Sequence, residues 1–133
     1  MSGAAALPAV RTSLVTGAGA GARERLIAAQ LDAATDATTT TTAVLLEGLP
    51  DGHTTLTPSA HLLIARIAPG CLCCTGNLVL RVTLNRLLRR RPERLYIGLA
   101  STAHLDQLRS WLCTPPYDQL LELTLDLAPG RHP

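Results

Sequence analysis

This chain of 133 residues has no phenylalanine, one tryptophan (Trp111), two tyrosines (Tyr96 and Tyr117) and no lysine. With so few aromatics, the core falls to Leu, Val, Ile and Ala, and the stacking platforms that hold single-stranded nucleic acids are excluded. The absence of lysine rules out any mechanism that needs a lysine ammonium from this chain acting alone. No uninterrupted apolar run is long enough to cross a bilayer, so no membrane association is expected. The opening "MSGAAALPAV" has neither the basic segment nor the long apolar stretch of a secretory signal. The expected compartment is the cytoplasm, where thiols stay reduced and clustered cysteines point to metal or redox chemistry rather than to structural bridges.

Charge is also scarce. Charged residues make up 17% of the chain, the net charge is +2, and all twelve basic residues are arginine. That balance is too small to imply a polyanionic partner. Arg86, Arg89, Arg90, Arg91 and Arg94 form a local run that reads as a solvated helix end, and without interleaved aromatics it makes no nucleic-acid site. Hydrophobic residues reach 47%, enough for one globular domain of ordinary size.

Short apolar runs alternate with helical patterns along the chain. Strands are expected at Val10–Thr16, Ala43–Glu47, His61–Ile67, Arg94–Ala100 and Leu120–Ala128. Helices are expected over Arg23–Ala34, over Asn77–Arg91 with Leu80, Leu84, Leu87 and Leu88 at helical spacing, and from a Ser101 cap through Leu112. The threonine run Thr38–Thr42 reads as a loop leading into a strand. This order predicts an α/β fold: a mostly parallel sheet of about five strands with flanking helices. The chain divides into a tail at 1–9, a domain at 10–128 and a tail at 129–133.

Two turns carry candidate chemistry. "VTGAGAGARERL" has the strand–glycine turn–helix context of a phosphate loop, whose backbone N–H groups converge on phosphate oxygens. The working pattern GxxxxGK[ST] needs a lysine for the phosphates and a hydroxyl for magnesium. Counted from Gly17, the second glycine position holds Ala22, the lysine position Arg23 and the hydroxyl position Glu24. Gly17, Gly19, Gly21, Arg23 and Glu24 are the candidate nucleotide contacts. A βα turn built simply of small residues accounts for the same stretch.

The second turn, "APGCLCCTGNL", puts three of the chain's four cysteines inside four positions, with glycine on both sides. Cys71 and Cys73 share one side of an extended segment, and Gly70 and Gly76 allow a bend that brings their sulfurs together. Cys74 joins them only if the backbone turns there. Thiolates are soft ligands suited to zinc and similar ions, so Cys71, Cys73 and Cys74 are candidate metal ligands. A remaining donor would come from Cys113, His53, His61, His104, a carboxylate, water or a partner protein. Buried structural cysteines and a redox pair are the alternatives. Each histidine taken singly reads as a solvated or structural residue. Cys113 reads as a buried helix-end residue.

Together, the "VTG" turn and "GCLCCT" after a later strand resemble the CobW-type metallochaperone GTPases, in order and spacing from about Val10 to Ala128. The resemblance implies a P-loop NTPase-like sheet, incomplete at its end, with Cys71, Cys73 and Cys74 at the family's metal-binding thiols. It also places Gly17 through Arg25 at the family's P-loop. Gly98 stands where the family has a glutamate and Ser101 where it has a glycine. The stretch around Asp126 resembles the strand leading to the family's guanine-recognition motif, which this sequence lacks. The implied role is that of a zinc or similar transition-metal carrier or buffer on a pseudo-GTPase scaffold. Its partners would be the metal ion, a client metalloprotein and a second copy of the chain at an exposed sheet edge. GTP with magnesium is the alternative cofactor, and a non-catalytic interaction module is a further alternative.

Overall fold

Short, largely apolar runs pair into strands β1 (Val10–Val15), β2 (Thr42–Glu47), β3 (Leu62–Ile67), β4 (Arg94–Gly98) and β5 (Leu121–Leu123). Helices α1 (Ala20–Ala33), α2 (Leu78–Leu88), α3 (Leu105–Leu112) and α4 (Tyr117–Leu120) connect them. These elements come from a computed structural model that describes residues 9–17, 20–33, 40–48, 56–67, 78–99, 105–124 and 126–128. The strands form one sheet in the order β3-β2-β4-β1-β5, and every neighbouring pair is parallel. The expected α/β architecture of five strands with flanking helices is what the chain adopts.

Each face of the sheet has its own core. Ile27 of α1 packs on Val15, Val44, Leu46 and Tyr96 on one face. On the other, Leu80, Leu84 and Leu87 of α2, Leu108 and Leu112 of α3, and Tyr117 of α4 pack on Leu14, Leu45, Leu95 and Ile97. β2, with helices over both faces, is buried along its whole length. Such a strand has no polar face and reads as a continuous apolar run, as "TAVLLE" very nearly does. Among the described residues no helix is long and apolar enough to cross a membrane.

Two elements differ from expectation. Leu120 belongs to α4 and not to a strand, and β5 covers only Leu121–Leu123. The chain nevertheless stays beside β1, because the Leu127 N–H bonds to the Leu14 carbonyl at 2.9 Å and Thr16 N–H returns to the Leu127 carbonyl at 2.9 Å. Cys113, expected to be buried, is exposed. Leu105, Leu108 and Leu112 take the inward phase of α3, and one further residue rotates the side chain away from the core.

Candidate functional site

The register brings the carboxyl ends of four strands level. Leu46 pairs with Arg66 on one side and Gly98 on the other, and Gly98 pairs in turn with Val15. Ligands of open α/β sheets bind at this edge. Among the described residues, the side chain of Arg23 crosses it. Arg23, on the first turn of α1 and only 5% exposed, extends over the strand ends. Its Nη1 donates to the Gly17 carbonyl at 3.0 Å and its Nη2 to the Glu47 carbonyl at 3.3 Å.

Gly17 makes room for it, and Gly48 and Gly98 lie alongside. A Cβ at Gly17 would lie 3.2 Å from Arg23 Cγ, and one at Gly98 would lie 3.8 Å from Arg23 Cδ and 2.9 Å from Leu46 Cδ2. Gly48 has φ +104°, a conformation that other residues rarely adopt, and its added Cβ would sit 3.8 Å from Nη2. Gly17, Gly48 and Gly98 therefore border a trough occupied by the guanidinium stem.

Glu24 is buried more deeply, with its side chain 1% exposed. Arg66 of β3 grips it with both guanidinium nitrogens, Nη1 to Oε2 at 3.2 Å and Nη2 to Oε1 at 3.3 Å. A buried carboxylate persists only with such a partner. The pair ties the start of α1 to the end of β3, next to the Gly48 N–H bond to the Ile67 carbonyl at 2.8 Å. Residue 68 follows directly, and the cysteine turn begins three residues beyond it.

A magnesium–triphosphate group would need a hydroxyl and a cation turned toward an open helix start. At this turn the cation is held by two carbonyls and the hydroxyl position carries a carboxylate committed to Arg66. These residues do not fit that group.

Of the sequence candidates, Gly17, Arg23 and Glu24 come together at this edge, and Gly21 lies in the first turn of α1. Gly19, Cys71, Cys73, Cys74, His53, His104 and Ser101 lie outside the described residues. His61 is exposed just before β3, where its carbonyl accepts from Thr42 N–H at 2.9 Å. Asp126 pairs with Arg109 of α3. Among the described residues no three His, Cys, Asp or Glu side chains gather as a metal site. Arg66 escaped the sequence reading. Its signal was a single charge inside the apolar run "LLIARI", together with a lone acid, Glu24, between Arg23 and Arg25 early in a helix.

The chain is 36% identical over 66 residues to the zinc chaperone YeiR of Escherichia coli (strain K12), a match that covers 49% of this chain and 20% of that protein. The matched part is thus about a fifth of the relative's length. No protein-family model matches the chain, and no solved structure matches it.

Proposed function

We propose that the chain binds a soft transition-metal ion, zinc or a close neighbour, through Cys71, Cys73 and Cys74, and carries or buffers it without a nucleotide cycle. The observation behind this reading is the likeness to a relative named as a zinc chaperone, in a chain that crowds three of its four cysteines into one glycine-flanked turn. Under this reading the scaffold is a CobW-type domain over 10–128, with short tails at 1–9 and 129–133, and it works in the cytoplasm. The phosphate-loop positions have become structural: Arg23 and Glu24 bond within the protein, which supports a pseudo-GTPase over an active one. A client metalloprotein would receive the ion.

Cobalt reports the proposal directly. Titrated into the reduced protein, Co2+ should give an intense sulfur-to-cobalt absorption band that is lost in the Cys71→Ser/Cys73→Ser/Cys74→Ser variant. The band should be the same with and without GTP and magnesium. A band that needs nucleotide would favour a working metallochaperone GTPase, and its complete absence would leave the cysteines as inert packing.

A further inference from the structure

β3 is an end strand of the sheet, and its outer edge is open among the described residues. The Thr42 N–H bonds to the His61 carbonyl and the Gly48 N–H to that of Ile67. Odd-numbered residues of β3 therefore turn their backbone groups toward β2, and Leu62, Ile64 and Arg66 turn theirs outward. Ser59 takes those of Leu62, at 3.0 and 3.3 Å. Among the described residues, the outward N–H and C=O groups of Ile64 and Arg66 have no backbone partner.

A groove of about 490 Å³ runs along this edge, between Leu63 and Ala65 of β3 and Thr83, Arg86, Leu87 and Arg90 of α2. Residues 62 to 66 are all half-buried, and Arg86 and Arg90 are exposed. Among the described residues, no aspartate or glutamate lines the groove. Arg66 is already paired with Glu24, whereas Arg86 and Arg90 have no ion-pair partner among the described residues.

We propose that the edge of β3, with Arg86 and Arg90, is a docking surface for an extended acidic segment of a partner protein, which adds to the sheet as another strand. Free ladder groups bind the backbone of such a segment, and the flanking side chains select its sequence. Leu63 and Ala65 face the α2 side and Leu62 and Ile64 the α1 side, so an added strand alternates between two environments. One face meets Arg86 and Arg90 and takes carboxylates. The other covers Leu62 and Ile64 and takes apolar residues. A second copy of this chain is a poor occupant, because it would bring its own Arg86 and Arg90 against the first pair. This inference does not depend on metal binding.

The probe is a fluorescent peptide of alternating glutamate and valine, matched to the six residues of β3 and followed by anisotropy with the full chain. It should bind, weaken with added salt, and bind far better than the lysine–valine peptide. Arg86→Glu/Arg90→Glu changes two exposed side chains, so it should fold normally, lose about tenfold or more in affinity for the acidic peptide, and gain affinity for the basic one. Ile64→Pro removes an outward N–H that no ladder bond among the described residues uses, and should abolish binding with the circular dichroism unchanged. If Ile64→Pro unfolds, the charge-reversal pair decides alone. The proposal is overturned if both peptides bind equally or neither binds. It is also overturned if sedimentation shows a dimer that peptide cannot dissociate and the charge reversal leaves intact.

Discussion

Arg23 and Glu24 are adjacent, charged and buried, yet they are held in different ways. Arg23 donates to two backbone carbonyls, Gly17 just beyond β1 and Glu47 at the end of β2, and Glu24 accepts from one side chain. The Glu24–Arg66 pair is lopsided in exposure, 1% against 23%. Removing Arg66 strands a carboxylate away from water, whereas removing Glu24 frees a guanidinium that can turn outward. Arg66→Ala should therefore cost about 3–5 kcal/mol and Glu24→Ala about half as much. Urea denaturation checks both, and the double variant should resemble Glu24→Ala; equal losses from the two single changes would contradict the burial argument. Arg23→Lys keeps the charge but not the fork that spans two carbonyls, so it should lower stability by about 1–3 kcal/mol. The sequence alone shows that positions 23 and 24 hold neither lysine nor a hydroxyl. It does not show their partners, because Arg66 is 42 residues from Glu24 and only the strand order brings them together.

The elements were legible where periodicity was strong, as in α2, whose Leu80, Leu84 and Leu87 are buried as their spacing predicts. Its end was less so. Arg91 adopts φ +53° and its N–H bonds to the Leu88 carbonyl at 3.0 Å, a left-handed cap ahead of Pro92. Glycine takes that conformation without the Cβ clash, so Arg91→Gly should stabilise by about 0.5–1 kcal/mol, seen as a higher melting temperature. The strand expected from Leu120 failed because Tyr117–Leu120 closes a helical turn against the core, with Tyr117 buried and its hydroxyl donating to Asn85 Oδ1 at 2.8 Å. Leucines alternating in "LLELTLDLA" fit that outcome as well as a longer strand. Burial raises the Tyr117 pKa above its usual value near 10, with Arg81 and the Asn85 hydrogen bond opposing. The folded state thus prefers the neutral phenol. Its contribution is fully present below about pH 10 and is lost as pH climbs toward the raised folded value, because the unfolded chain ionises first. Tyr117→Phe should flatten the alkaline decline measured by thermal melts at stepped pH.

At the scale of the whole molecule, the open question is which ligand the fold recognises, and linkage gives an answer that needs no catalytic readout. Anything that binds the native state and not the unfolded chain raises stability by RT ln(1 + [L]/Kd), about 2.7 kcal/mol at a hundredfold excess over Kd. For a chain of this size that is a shift on the order of 10 °C. The trough at the carboxyl edge is filled by Arg23, and a triphosphate would have to displace two of its hydrogen bonds and a buried carboxylate pair. Millimolar GTP with magnesium should therefore leave the melting temperature unmoved. Zinc should raise it, by less than the full linkage value because unfolded cysteines also bind metal. The increment should vanish in the Cys71→Ser/Cys73→Ser/Cys74→Ser variant, and it should add to, rather than compete with, any shift from the acidic peptide at β3. A GTP-dependent rise that Arg23→Ala enhances would mean that the guanidinium is a displaceable gate and that the edge beneath it still takes phosphate.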